Sequence, residues 1–216
     1  MSIKIEVDLI KEEEWNKLLN EFDDANIYQT WSYGKILWQE NNLSHIVIKY
    51  LNEVISIAQA RILKLPFINV GMAYITGGPL WRKNGKSENL NNFKIIIKSI
   101  IKEYVINRGL YLRIAPNIYE NREDIINILK NEGCIGNENL PKYRTIIVDL
   151  SPTINQLRSN LDQKWRNQLN RSEKNNLIVK EGGDEELYDL FLELQKDMLS
   201  RKKYQTNNKN IYPAHF

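Results

Sequence analysis

Trp31, Lys35 and Trp38 return to one side of a helix, because residues four and seven apart share a face when a turn takes 3.6 residues. They sit in the aromatic stretch Tyr28-Gln29-Thr30-Trp31-Ser32-Tyr33-Gly34-Lys35-Ile36-Leu37-Trp38. A lysine between two indoles is suited to hold an anion, and equally to lay its stem on a packed stripe with its ammonium in water. In Ala73-Tyr74-Ile75-Thr76-Gly77-Gly78-Pro79-Leu80-Trp81-Arg82, two glycines before a proline make a turn whose backbone can approach a ligand or another strand. Between Asp162 and Lys174 cations gather, with Lys164 and Arg171 on one flank and Arg166, Asn170 and Lys174 on the other. Leu157, Leu161, Trp165 and Leu169 supply the stripe expected to be buried. That helix suits a phosphate or an RNA backbone, or else presents a solvated basic face. The cations of Met198-Leu199-Ser200-Arg201-Lys202-Lys203-Tyr204 collect at a helix C-terminus, where the macrodipole favours them in any case.

Several chemistries lack their residues. The two histidines, His45 and His215, stand near no serine or cysteine in a nucleophile-elbow pattern, which leaves Ser/His/Asp and Cys/His catalysis without candidates. No Cys or His cluster has metal spacing, so no metal site is expected. Neither the dinucleotide glycine pattern nor the phosphate-loop pattern occurs. No residue stands out as a catalytic acid or base.

The net charge of +3 over 216 residues gives no whole-chain field towards nucleic acid or membrane, so any basic patch is local. The single cysteine, Cys134, rules out an intrachain disulfide and fits a reducing, cytoplasmic setting and a small, partly buried side chain. The N-terminus alternates charged and apolar residues without a signal-peptide core, and no window approaches the roughly 20 apolar residues of a spanning helix. Peripheral membrane contact stays open.

These segments need elements to position them. Ile3 to Asp8 alternates as a strand, and Glu12 to Phe22 sets Trp15, Leu18, Leu19 and Phe22 on one helical face. Thr30 caps a helix from Trp31 to Glu40. Strands follow at His45 to Leu51, Val54 to Leu65 and Val70 to Thr76. Leu90, Phe93, Ile96, Ile97, Ile100, Ile101 and Tyr104 mark a long amphipathic helix stopped by Gly109. A strand from Leu110 to Ile114, a helix from Asp124 to Lys130 and a strand from Tyr143 to Leu150 complete a mixed α/β sheet with helices on both faces.

A boundary is expected at Ser151-Pro152, dividing a first domain of residues 1–150 from the opening of a second, 151–216. The second holds a short strand signal at Leu177-Ile178-Val179 and a helix from Asp184 to Arg201, whose Leu187, Leu190, Phe191, Leu194 and Met198 need a partner surface. The sequence therefore reads as the N-terminal part of a longer protein, with the C-terminal third weakly stabilised and no transferase activity alone.

In order along the chain, six pieces resemble the FemAB family of non-ribosomal peptidyl transferases, which build peptidoglycan cross-bridges, and its GNAT-type, BioF2-like relatives. They are Gln29-Thr30-Trp31 with Gly34-Lys35, Gly77-Gly78-Pro79, Tyr111-Leu112-Arg113-Ile114-Ala115-Pro116, Thr145-Ile146-Ile147-Val148-Asp149-Leu150-Ser151, Lys164-Trp165-Arg166-Asn167 with Arg171, and Phe191 through Arg201. The resemblance implies two tandem GNAT-like domains, the second incomplete here. It implies transfer of an aminoacyl or acyl group, from aminoacyl-tRNA or acyl-CoA as co-substrate, to an amine on a phosphate-bearing cell-wall or cell-surface precursor. Lys35 would bind the precursor's phosphates, and Trp38, Arg113, Lys164, Arg166, Arg171 and Arg201 would line substrate sites. The family's Arg-x-Asp-Pro is here Arg113-Ile114-Ala115-Pro116, without the carboxylate, which favours an acceptor other than the family's muropeptide. Two other readings stand beside the acyltransferase: an RNA- or phosphate-binding module, and a non-catalytic scaffold of the same descent.

Overall fold

The computed structural model describes residues 3–64, 70–119, 121–137, 146–175 and 177–202. Contacts divide the chain into two compact units, Met1–Asn137 and Glu138–Lys209. The first carries β1 (Ile3–Val7), α1 (Glu12–Leu19), α2 (Trp31–Trp38), β2 (Leu43–Tyr50), β3 (Glu53–Lys64), β4 (Gly71–Thr76), α3 (Leu90–Ile101), β5 (Tyr111–Ala115) and α4 (Glu123–Asn131). Helix α3 runs on as a π-helical segment, Lys102–Asn107, and ends at Gly109, whose φ of 64° suits a residue without a side chain.

The sheet order is β1-β2-β3-β4-β5. The first four strands pair antiparallel, and β5 lies parallel to β4 because α3 carries the chain back across the sheet. The β2–β3 hairpin turns through Leu51 and Asn52, both at positive φ, as a two-residue hairpin requires.

Alternation along the strands divides the core. On one face Ile46, Ile48, Ala58, Ala60, Ala73 and Ile75 pack with Phe93, Ile96, Ile97 and Ile100 of α3, and Ile125 of α4 joins them. On the other, Val47 and Ile57 pack with Trp15 and Leu19 of α1, Trp31 of α2, Phe22 and Leu80. Each large side chain buried here contributes about 1.5–3 kcal/mol. The mixed α/β sheet with helices on both faces is thus present. Helix α1 has no side-chain cap but carries Glu12, Glu13 and Glu14 in its first turn. Helix α2 is capped by Thr30, whose hydroxyl accepts from the Tyr33 N–H.

The second unit contains α5 (Ile154–Asn160), α6 (Gln163–Lys174) and α7 (Glu185–Lys202). A capping box of Thr153 and Gln156 starts α5, and Asp162 caps α6. None of its described residues is buried. Three expectations fail here. Ile146–Leu150, the described part of the strand expected from Tyr143, is irregular, with Ile146 87% exposed. Leu177-Ile178-Val179 is likewise irregular and exposed. A strand needs a ladder partner, and the unit's described elements are all helices. Third, α6 has no buried stripe, since Trp165 is 66% exposed. Leu65, Tyr143–Thr145 and Tyr204–Phe216 lie outside the described residues.

Candidate functional site

Strand register builds a row of side chains on the α1/α2 face of the sheet. Arg61 of β3 pairs with Tyr74 of β4, and Tyr74 pairs with Arg113 of β5, so the three side chains lie side by side. The Arg61 guanidinium sits 5.8 Å from the Trp38 ring of α2, and that of Arg113 sits 4.8 Å from the Tyr74 ring. Trp38, Arg61, Tyr74 and Arg113 therefore alternate ring and cation across the sheet, in the range of cation–π attraction. Tyr33 stands edge-on to Trp38 at 5.8 Å and to Tyr28 at 5.3 Å. Burial and the neighbouring Tyr28 and Tyr74 raise the Tyr33 pKa, so its phenol stays protonated and available to donate.

Charge accounting singles out two of these groups. In the first unit Arg82, Arg108 and Arg122 all face carboxylates. Arg61 and Arg113 have no carboxylate partner among the described residues, and the Arg61 Nε is buried without a hydrogen-bond acceptor. The Thr76 hydroxyl, on the same face two residues beyond Tyr74, is also buried and unpartnered. Buried donors are ordinarily satisfied, and in the first unit the Trp31 Nε1 and Arg82 Nε are likewise buried without a hydrogen-bond partner. The β5 end of the face is open, with Tyr111 72% exposed.

A buried polar network holds α2 over this sheet. The Gln59 side-chain amide donates to the carbonyls of Thr30 and Tyr28 at 3.0 and 3.3 Å. Its oxygen faces His45 Nε2 at 2.8 Å. Since that oxygen only accepts, His45 must carry its proton on Nε2. His45 stacks on Trp31 at 3.8 Å, and burial lowers its pKa. The Gln29 amide in turn closes on the Gln59 backbone and the Thr76 carbonyl. A Cβ on Gly34 would fall 2.6 Å from the Gln59 amide, which is why glycine stands in α2 there.

The Gly77-Gly78 pair serves this same network. Gly77 has φ 67°, and a Cβ on it would meet the Asn26 oxygen at 2.5 Å; one on Gly78 would meet the Gln29 amide at 2.9 Å. The close approach is therefore to Asn26 and Gln29. Asp24, buried and with its pKa raised by that burial, accepts from the Trp81 and Arg82 N–H groups and fixes the following loop.

The residues singled out in the sequence are distributed unevenly. Trp38 and Arg113 share the row. Lys35 is half-exposed, its ammonium 3.7 Å from Glu12 and 4.0 Å from Glu40. Lys164, Arg166 and Arg171 lie on α6, and Arg201 on α7 faces Asp197 at 3.1 Å. Arg61, Tyr74 and Tyr33 are additions from the structure. A cation two residues after Gln59 in a strand was the available signal for Arg61, but its neighbours follow only from register. Among the described residues no group of His, Cys, Asp and Glu could hold a metal. No described helix is long and apolar enough to cross a membrane. Two concavities are lined by other residues: one of about 540 Å³ along α6 in the second unit, and one of about 520 Å³ in the first, lined by Asp8, Asn41, Asn42, Lys64 and Arg108 among others.

No protein-family model matches the chain, and no curated protein matches it significantly. Among solved structures it is similar to FemX, at a TM-score of 0.74 and 20% identity, over 97% of this chain and 54% of that one. The chain thus spans about half the length of FemX and has its fold over that span. Weaker likenesses include an aminoglycoside acetyltransferase from an uncultured soil metagenomic sample (TM-score 0.42, 14% identity, 68% of this chain, 97% of that one) and a ribosomal-protein-alanine N-acetyltransferase from Brucella melitensis biovar Abortus 2308 (0.40, 9%, 69%, 100%). The fold assignment rests on FemX.

Proposed function

We propose that the chain is the acceptor-binding part of a FemAB-like acyltransferase and that the Trp38–Arg61–Tyr74–Arg113 row holds the phosphate-bearing end of the acceptor. The observation that carries this reading is the pair of guanidinium groups without a carboxylate, one with a buried orphan Nε, on the open sheet face of a FemX-like fold. Two such groups match a phosphate or pyrophosphate through paired N–H donors, and the flanking rings offer faces to a planar or sugar group.

In the reaction the acceptor amine, as the free base, attacks the activated acyl carbon. The tetrahedral intermediate collapses with loss of the donor's leaving group, a ribose hydroxyl of tRNA or the thiol of coenzyme A, and the amine proton passes to that group or to solvent. The residues of this chain contribute position. Fixing one end of the acceptor lowers the entropy lost in bringing its amine to the acyl carbon. The protonated Tyr33 phenol is a neutral donor beside the anion site. Lys35 faces Glu12 and Glu40, so its charge is offset on α2 and the anion site is left to the two arginines.

The test is a tryptophan-fluorescence titration with a pyrophosphate-bearing muropeptide precursor and, separately, inorganic pyrophosphate. Saturable quenching by either supports an anion site beside Trp38, and the precursor binding more tightly supports an acceptor of that class. No saturable response to either ligand would remove the reading.

A further inference from the structure

The concavity of about 520 Å³ in the first unit lies at the end of the sheet where β1 and β3 finish and β2 begins. Its volume is that of a small-molecule site, roughly 300–1,000 Å³. The apolar part of its lining comes from Leu43, Ile62 and Leu110. Leu110 is 5% exposed and the other two are half-buried, so an aliphatic group has a surface to lie against.

The polar part of the lining carries both signs of charge in a fixed arrangement. Arg108 is held by three contacts: its Nε donates to Glu103 at 2.7 Å, one terminal nitrogen to Asp8 at 2.9 Å and the other to the Ser44 hydroxyl at 3.3 Å. Asp8 is fixed in turn, because its other oxygen accepts from the His45 backbone N–H at 2.8 Å. A guanidinium has five N–H donors and a carboxylate about four acceptor sites, so each group keeps unused capacity. Lys64 and the Asn41 side-chain amide, both exposed, have no hydrogen-bond or ion-pair partner among the described residues. The Asn42 amide nitrogen donates to the Trp38 carbonyl at 2.9 Å, which leaves its oxygen to accept.

These charges select the ligand. A simple anion drawn by Lys64 would lie against the Asp8 carboxylate, and a simple cation drawn by Asp8 would lie against Lys64 and Arg108. A molecule with both charges on neighbouring groups meets each with its opposite. We infer that this concavity binds a free aliphatic α-amino acid. Its carboxylate lies on Lys64 and the open Arg108 donors, its ammonium on the Asp8 and Asn42 oxygens, and its side chain on Leu43, Ile62 and Leu110. Asp8 and Arg108 are already held before the ligand arrives, which limits the cost of ordering them. The match needs a free carboxylate, which sets the ligand apart from an aminoacyl ester. None of Trp38, Arg61, Tyr74 and Arg113 lines the concavity, so this site stands or falls independently of the reading above.

The experiment is a titration of the full chain with L-leucine, followed by the backbone amide signals in 1H–15N NMR. Saturable shifts should centre on Asn41, Asn42, Leu43, Arg108 and Gly109. N-acetyl-L-leucine, L-leucinamide and glycine remove the ammonium, the carboxylate and the side chain in turn, and each should bind at least tenfold more weakly. Asp8→Asn, which keeps an oxygen for the His45 N–H, should weaken leucine binding at least tenfold. Lys64→Gln alters only an exposed, unpartnered charge and should weaken it about threefold or more with an unchanged unfolding midpoint. Should Asp8→Asn not fold, Lys64→Gln and the three analogues decide the matter. The inference is overturned by no saturable shift with leucine, by saturable shifts confined to other residues, by N-acetyl-L-leucine or L-leucinamide binding as tightly as leucine, or by unchanged affinity in Lys64→Gln.

Discussion

Replacing Gln59 by leucine should cost about 1–4 kcal/mol of stability, a large share of the 5–15 kcal/mol of an ordinary domain. The side chain makes three contacts, with His45 Nε2 at 2.8 Å, the Thr30 carbonyl at 3.0 Å and the Tyr28 carbonyl at 3.3 Å. Thr30 retains the Gly34 N–H on its carbonyl, so its loss is small. The His45 N–H and the Tyr28 carbonyl lose the amide, and a buried polar group left unsatisfied costs about 1–3 kcal/mol. The added apolar surface of leucine offsets about 1–2 kcal/mol of that sum. Because Gln59 fits directly under Gly34, the branched side chain also presses on α2, which carries Tyr33 and Trp38. Urea unfolding followed by far-UV circular dichroism gives the loss, and near-UV circular dichroism reports the tryptophan environment. A loss below about 1 kcal/mol with an unchanged near-UV spectrum would refute the claim that this amide holds α2 to the sheet.

Three shorter predictions follow from the same geometry. His45 has a folded pKa below its ordinary 6.5, so its contribution is present above that value and is lost as pH falls towards the folded pKa; urea midpoints between pH 7.5 and 5 should fall less steeply for His45→Gln than for the parent. Lys35→Ala should change stability by no more than about 0.5 kcal/mol in urea unfolding, because its carboxylate contacts are long and half-exposed. Gly77→Ala should cost about 1–3 kcal/mol by thermal unfolding, since alanine strains a φ of 67° and meets Asn26 at 2.5 Å.

Sequence patterns disclosed the first unit well because burial imposes them. The spacing of Phe93, Ile96, Ile97 and Ile100 marked the face of α3, and the alternation around His45 and Val54 marked β2 and β3. The π-helical segment after Ile101 was not legible, because its side chains continue the helical pattern. In the second unit the same signals misled. Ile146-Ile147-Val148 and Leu177-Ile178-Val179 have strand composition but no strand to pair with among the described residues, and Trp165 fits a core stripe while standing exposed. Propensity reports what a segment suits, whereas pairing depends on what lies beside it. The site was half legible. Trp38 and Arg113 could be singled out as residue types, but their common row depends on the Arg61–Tyr74 and Tyr74–Arg113 registers. The Gly77-Gly78 turn could be read as a close approach, but not as one to Asn26 and Gln29.

The central claim is that Arg61 and Arg113 together bind an anionic ligand, and isothermal titration of pyrophosphate and of the pyrophosphate-bearing muropeptide precursor tests it most directly. Each hydrogen bond from a charged donor contributes about 1.5–3 kcal/mol, so losing two weakens binding by roughly 150-fold or more. Arg61→Gln with Arg113→Gln should therefore abolish measurable binding of the ligand that the parent binds, while Arg122→Gln, whose guanidinium is engaged by Glu88 and Asp124, should leave it unchanged. Affinity within threefold of the parent in the double variant would contradict the account.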